Sequence, residues 1–433
     1  MDFNLLYQMG DTFFYQTVHQ TSYYIYNFFL PPVIFFSIFF YIMAITGILS
    51  KGKKKRYSNN NIQWPYVTIQ IPTYNEPVAL RCAKNCLSFD YPKDKFKIII
   101  GDDSTDPKIS KLMDDFARKN KRVKVTRRGS NIGFKAGNLN HMLKFSKGEI
   151  IVIFDSDYTP SKKFLKKIVR PFIGNEEVGC VQTRWSFLNT NQNLTSKLGY
   201  SILMIYQLLI ARVNERLGIS LLFGSGQAIR KDLIISLGGW QEGSLTEDVE
   251  FSVRLLKSGY KIVYLDNVKV SGEVPYTVKG LRTQQKRWAY GNLRAFIDHA
   301  NSLLFGNFTF LQKFMLILTL LGYLSSFFIL PYIISSTIYF FSTPPAPIDF
   351  YKFFTETSKF VIFTSGFLLA GIVALSKERR LNMAPTVLFS SLTIGIFVAI
   401  SVCNGFIRAL IGKPMKWKII KKQGNFNFDL KDQ

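Results

Sequence analysis

The sequence predicts an α/β fold, a mostly parallel sheet flanked by helices, inserted between transmembrane helices. Three observations predict it. From about Trp64 to Phe305, short apolar runs rich in β-branched residues alternate with amphipathic runs, the pattern of repeated β-α units. Long stretches without a charged residue lie on either side. The run Ile150 to Phe154, apolar throughout and too short for a core helix, ends directly in Asp155-Ser156-Asp157. That sets two carboxylates at the carboxyl end of a buried strand, where open α/β sheets hold their ligands.

The 433 residues, 47% apolar, include 40 phenylalanines, enough for one large domain or two plus membrane segments. Lys and Arg outnumber Asp and Glu by 55 to 29, an excess that suits anionic lipid, phosphorylated substrates or nucleic acid. The basic residues are spread around the predicted helices rather than gathered beside exposed aromatics, which argues against nucleic acid. Four cysteines without a C-x-x-C pair and three dispersed histidines exclude a thiolate or imidazole metal cluster, so any metal must be held by oxygen.

Taken in order, residues 1–27 form an N-terminal segment, and the 22 residues Phe28 to Leu49 are long and apolar enough to cross a bilayer. Pro31 and Pro32 fit its first turn. The basic run Lys51 to Arg56 follows the apolar stretch instead of preceding it, so the segment reads as an uncleaved anchor with its basic end cytosolic. A polar linker, Ser58 to Gln63, leads into the soluble region of residues 64–305.

Strands fit Val67 to Ile71, Phe96 to Gly101, Val123 to Thr126, Ile150 to Phe154 and Val178 to Gln182. Helices fit Pro77 to Ser88, Pro107 to Asn120, Lys135 to Phe145 and Ser161 to Phe172. Leu194 to Leu217, apolar over a wide face, reads as one helix between the sheet and a membrane surface. Residues 309–412 carry three further membrane candidates, within Phe314 to Ile348, Phe360 to Ser376 and Leu381 to Ile407, before a basic tail of residues 413–433. With the domain and the turn Lys377 to Arg380 both cytosolic, a third full crossing would export that tail. Either the last segment bends back near Asn404 and Gly405, or the tail departs from the positive-inside tendency.

Several polar clusters sit where strands end or helices begin. P-T-Y-N-E (Pro72 to Glu76) and D-D-S-T-D (Asp102 to Asp106) follow the first two strands, and each reads either as a solvated turn or as hydrogen-bonding groups for a base or ribose. In K-A-G-N, Lys135 heads a helix, where it can neutralise phosphate or simply face water. T-E-D (Thr246 to Asp248) reads as a capping Thr with acids in the first turn, or as reactive carboxylates. In Q-Q-K-R-W, Gln284, Arg287 and Trp288 share one helical face, an amide, a fixed cation and a flat aromatic suited to a sugar or to the lipid interface.

Together and in this order, these motifs resemble the family-two glycosyltransferases of the cellulose, mannan, chitin and hyaluronan synthase type, over Pro72 to Trp288. F-G-S-G (Phe223 to Gly226), G-G-W (Gly238 to Trp240) and G-E-V-P-Y-T before Q-Q-K-R-W look most like cellulose-synthase-like and mannan-synthase-like members. The resemblance implies a Rossmann-like glycosyltransferase A domain that moves a hexose from a UDP- or GDP-linked sugar to a growing polysaccharide. A lipid acceptor such as ceramide or diacylglycerol is the alternative. It further implies that Asp102 or Asp103 binds the base, and that Asp155 and Asp157 hold Mg²⁺ or Mn²⁺ on the donor diphosphate. Thr73, Glu76, Lys135, Gln284 and Arg287 complete the donor site. Asp248 is the implied base, with Trp288, Gly226 and Glu247 on the acceptor side. The implied setting is the plasma membrane with a cytosolic catalytic domain, membrane lipids around it, and a possible unknown export partner.

Overall fold

A computed structural model describes residues 3–49, 62–343, 349–418, 420, 422 and 423. The basic run Lys51 to Arg56, most of the linker after it, Lys421 and residues 424–433 lie outside the described residues. The first helix, α1 (Phe3–Leu49), is longer than the anchor expected at residues 28–49, and Pro31 and Pro32 fall inside it rather than in its first turn.

The sheet is built from β1 (Val67–Thr73), β2 (Phe96–Asp102), β3 (Val123–Thr126), β4 (Ile150–Ile153), β5 (Val178–Phe187), β6 (Gln227–Arg230) and β7 (Lys261–Gly272), in the order β3-β2-β1-β4-β6-β5-β7. All pairs are parallel except those of β6, which runs antiparallel to both β4 and β5. The five strands expected from apolar runs are present. The two that were not expected lack a clean period. β6 has only four residues, and β7 is interrupted where its pairing with β5 jumps from Leu265 to Lys269.

Helices α2 (Ala79–Leu87), α3 (Pro107–Arg118), α4 (Phe134–Leu143) and α5 (Phe164–Val169) fill the expected intervals. Phe89, Phe96, Phe154 and Phe164 are fully buried between sheet and helices. The register aligns Thr73 with Asp102 and Gln70 with Ile153, so the turns after β1, β2 and β4 emerge at one edge.

The stretch expected as one helix at Leu194 to Leu217 is divided into α6 (Leu194–Ile205), a π-helical turn at Tyr206–Ile210 and α7 (Ala211–Leu217). After α8 (Lys231–Ser236) and α9 (Glu247–Lys257), α10 (Val278–Phe305) carries the Q-Q-K-R-W motif. Then come α11 (Phe310–Leu320), α12 (Leu324–Ser342), α13 (Phe350–Thr364), α14 (Gly366–Lys377) and α15 (Ala384–Leu410).

Helices α1 and α12, α15 with the short turn before it, and the stretch from α6 to α7 are long and apolar enough to cross a membrane; α13 and α14 make a further candidate span bent by 61°. The α6–α7 stretch is mostly buried, α6 against α14 and α15 and α7 against β7. The bend between α13 and α14 rests on α1, where Ser37 Oγ accepts the Gly366 N–H at 2.9 Å and the Tyr41 and Ser365 hydroxyls meet at 2.7 Å. A Cβ at Gly366 would lie 1.9 Å from the Ser37 carbonyl oxygen, so only glycine allows this approach.

Helix α15 is continuous through Asn404 and Gly405, with no bend there. Gly405 instead lets the helix lie against the Lys286 backbone of α10. Both ends of α15 touch the sheet domain. Before it, Glu378 receives Arg184 at 2.7 Å and Lys269 at 3.5 Å; beyond it, Trp417 and Lys422 enter the cleft described next.

Candidate active site

The carboxyl edge of the sheet opens into one cleft. Its first wall comes from the turns after β1 and β2. Asn75, in the left-handed region at φ 55°, accepts the N–H groups of Thr105 and Asp106 and so fastens the two turns together. Asp102 is turned inward, accepting from the Ser104 N–H, the Ser110 hydroxyl and Arg127 Nε at 2.8 Å. Burial pushes its carboxyl up, but these bonds outweigh burial and hold it below its ordinary value. Asp103 faces the cleft with Thr73 and Glu76, paired with Arg128 at 2.7 Å.

The D-S-D turn forms the floor. The Asp155 N–H donates to Ser225 Oγ at 3.0 Å, and Asp155 Oδ1 meets Lys135 Nζ at 2.7 Å. Asp157 Oδ2 accepts the Glu273 N–H at 2.9 Å and lies 3.0 Å from Lys422 Nζ. Ser156 Oγ donates to Glu76, whose carboxyl is pushed up to about 7 by burial, with Lys422 acting against the rise. Two carboxylates, each met by an ammonium group, offer oxygen ligands of the kind a hard divalent cation takes, although among the described residues no third His, Cys, Asp or Glu joins them as a ligand group.

Lys135 joins this floor to the opposite wall. Its ammonium also reaches Glu247 at 3.2 Å and donates to the Gly224 carbonyl at 2.6 Å, and its pKa is raised by Asp155 and Glu247 against the pull of burial. Gly224 has φ +90°, and a Cβ there would stand 3.1 Å from Asp248 Oδ2 and 3.3 Å from Lys135 Nζ, so the F-G-S-G loop brings backbone against both groups. Thr246 makes no side-chain capping bond at the start of α9, so T-E-D is not a capping arrangement. Its methyl and hydroxyl pack on Gly291 of α10 instead. Asp248 is buried, and its carboxyl is pushed up to about 7 by burial and by Glu247, with Lys135 pulling down.

Gln284, Arg287 and Trp288 line the cleft from α10. Arg287 Nε is buried and has no hydrogen-bond partner among the described residues. Of the residues singled out in the sequence, Thr73, Glu76, Asp103, Lys135, Asp155, Asp157, Glu247, Asp248, Gln284, Arg287 and Trp288 line this one cleft. Asp102 and Gly226 stand behind it, Gly226 packing on Val270 and Thr183 at φ +61°.

Several cleft residues had been given no role in the site, among them Trp185, Glu273, Trp417 and Lys422. Trp185 lies two residues before the end of β5 and Glu273 follows β7, both on the ligand edge of the sheet, and T-R-W after the expected strand Val178 to Gln182 was the available signal for the first. Trp417 and Lys422 come from the tail, where a basic stretch reads as solvated. The Trp417 ring lies 6.4 Å from both Phe134 and Tyr74, and Lys422 reaches Asp157.

Residues 150–355 match the family described as Glycosyl transferase family group 2. The chain is 33% identical over 242 residues to the probable glucomannan 4-beta-mannosyltransferase 3 of Arabidopsis thaliana, covering 53% of this chain and 43% of that protein. It is 30% identical over 277 residues to the glucomannan 4-beta-mannosyltransferase 1 of Cyamopsis tetragonoloba, covering 58% and 52%. The chain thus spans about half the length of the curated relatives it matches. Among solved structures, a mannosyltransferase from Pyrobaculum calidifontis in complex with GDP-Man and Mn²⁺ shares the fold, with a TM-score of 0.60 at 17% identity over 90% of this chain and 99% of that one. Residues 150–355 are thus similar to family-two glycosyltransferases, and the chain resembles glucomannan mannosyltransferases over about half of its length.

Proposed function

We propose that this protein is a membrane-embedded, inverting β-glycosyltransferase that extends a polysaccharide from a nucleotide-linked hexose, with GDP-mannose the first donor to test and UDP-sugars next. The observation that carries the reading is the reach of Lys135, a single ammonium in contact with Asp155 of the carboxylate pair and with Glu247 beside Asp248. A donor diphosphate over the pair and an acceptor hydroxyl at Asp248 then share one desolvated cleft.

In this reading Asp248 takes the proton of the acceptor hydroxyl as that oxygen bonds to the anomeric carbon and the bond from that carbon to the diphosphate oxygen breaks from the opposite side. A carboxyl titrating near neutrality suits that role. Arg287 and Lys135 face the negative charge gathered by the leaving diphosphate, fixed in place before the reaction. Asp103 and Thr73 meet the nucleoside, and Trp288 supports the acceptor sugar. A divalent cation, Mg²⁺ or Mn²⁺, would be held by Asp155 and Asp157 and would supply counter-charge to the diphosphate.

Three crossings, α1, α12 and the bent α13–α14 pair, with α15 lying along the domain, would leave the catalytic domain, the turn at Glu378 and the tail on one side, the cytosol. The plasma membrane is the proposed location. Membranes containing the full chain, given radiolabelled GDP-mannose, UDP-glucose or UDP-N-acetylglucosamine with Mn²⁺, should put label into alcohol-insoluble glycan. Label in the organic phase would replace the polysaccharide acceptor by a lipid. No transfer from any of the three donors would overturn the reading.

A further inference from the structure

Strand β5 outruns its neighbour β6. Their pairing ends at Gln182 and Gln227, and one step on the Thr183 N–H still reaches the Gly226 carbonyl at 3.1 Å. The next N–H on that edge belongs to Trp185, and no strand lies beside it. Gln207 supplies the acceptor, its Oε1 taking the Trp185 N–H at 2.6 Å. Gln207 is almost fully buried and stands in the π-helical turn that interrupts α6 and α7. Such a turn adds a residue to the helix and rotates the side chains around it, and it recurs at functional sites. The turn is itself fixed, since the Tyr264 hydroxyl donates to the Gln207 carbonyl at 3.1 Å.

The side chain fixed in this way connects two parts of the cleft. The Trp185 indole N–H donates to the Ser225 carbonyl at 2.9 Å, while Ser225 Oγ accepts the N–H of Asp155 at 3.0 Å. Its ring lines the cleft and lies 6.4 Å from Trp288 at 37°, with Phe223 edge-on at 5.8 Å. Two neighbouring indoles extend the aromatic wall beyond the width of one ring, and the apolar face of a sugar stacks on such a wall.

We infer that Trp185 is a second acceptor-binding residue, which takes the sugar next to the one on Trp288, and that Gln207 is the positioning residue that sets its plane. The ligand is an oligosaccharide of at least two sugars. Through Ser225 the same indole steadies the backbone of Asp155, so acceptor and donor sites share one rigid connection. This inference rests on the polysaccharide reading above.

The test uses the full chain in detergent with GDP-mannose or UDP-glucose, whichever supports transfer, Mn²⁺, and β-linked di- and tetrasaccharide acceptors. Trp185→Ala should raise the acceptor KM by about tenfold, the loss of one stacked ring. Trp185→Phe keeps a ring but loses the indole donor. It should hold the acceptor KM within about threefold while the Mn²⁺ needed for half-maximal rate rises about threefold or more, the effect of one hydrogen bond. Gln207→Met, of similar volume, should raise the acceptor KM and, as the indole shifts, the Mn²⁺ requirement with it, and Gln207→Glu, which keeps an acceptor oxygen, should bring both back toward wild type. Trp288→Ala is the control. If it raises the acceptor KM and neither Trp185→Ala nor Gln207→Met does, the second platform is wrong and the proposed function stands. If the wild type transfers to neither oligosaccharide, or Trp288→Ala leaves the acceptor KM unchanged, the polysaccharide reading fails with it. An unchanged Mn²⁺ requirement in Trp185→Phe overturns the connection to Asp155.

Discussion

Asp248 and Glu247 are adjacent carboxylates in one helical turn, and the Asp248 carboxyl is pushed up to about 7, by burial first and by Glu247 second. A base that gives and takes protons near neutral pH contributes through that shift, so Asp248→Asn should lower turnover by about two to four orders of magnitude while nucleotide binding persists. Glu247→Gln, measured alongside, should cost much less; equal losses would remove Asp248 from the role. The shift also has a pH signature. As pH rises the carboxyl keeps its proton up to about 7, so kcat/KM should climb through that value and level off above it. Glu76 titrates in the same range, so the rising limb must survive Glu76→Gln; its disappearance there would assign it to Glu76 instead. Stability runs the opposite way. The folded protein holds a proton that the unfolded chain releases near 3.8, so this group's contribution is lost as pH rises from there toward about 7.

Among the elements, α10 governs the geometry. It presents Gln284, Arg287 and Trp288 to the cleft and, one turn later, Gly291 to Thr246 at the start of α9. A Cβ on Gly291 would lie 2.4 Å from the Thr246 side chain. Gly291→Ala should therefore shift the start of α9 and Asp248 with it, slowing transfer well beyond what an overpacking cost of about 1–3 kcal/mol would imply, with donor affinity kept. Wild-type turnover in a folded Gly291→Ala protein would show that α9 does not need this contact. The elements legible in the sequence were those with a clear period. Val67 to Thr73 and Ile150 to Ile153 announce themselves by apolar β-branched runs, and the acids after them by position. Strand β6 is too short to carry a period, and the π turn in α6–α7 leaves apolar composition unchanged while rotating Gln207 inward. Lys422 was illegible for another reason, since its partner Asp157 is set by the folding of the whole chain and no local pattern marks it.

At the scale of the molecule, the membrane helices and the catalytic domain are joined at few charged points. The chief one is Glu378, in the turn between α14 and α15, held by Arg184 at 2.7 Å, by Lys269 and by the Tyr200 hydroxyl. Arg184 is nearly buried, so Glu378→Ala would strand its charge and should cost about 3 kcal/mol, read as a lowered thermal midpoint in detergent. An unchanged midpoint would mean that the apolar contacts of α15 along α10 suffice to dock the membrane layer. The tail that follows α15 bonds back into the cleft, where the Gln423 N–H meets Glu273 across 150 residues of sequence at 2.7 Å. During synthesis the sheet, Asp155, Asp157 and Asp248 leave the ribosome well before α11 to α15. The wall supplied by Trp417 and Lys422 arrives only after those helices have been made. At about 5–20 residues per second, the nascent domain spends several seconds with its acids exposed and its cleft unfinished. On the proposed function, sugar transfer would then wait until the membrane helices and the tail behind them have been made.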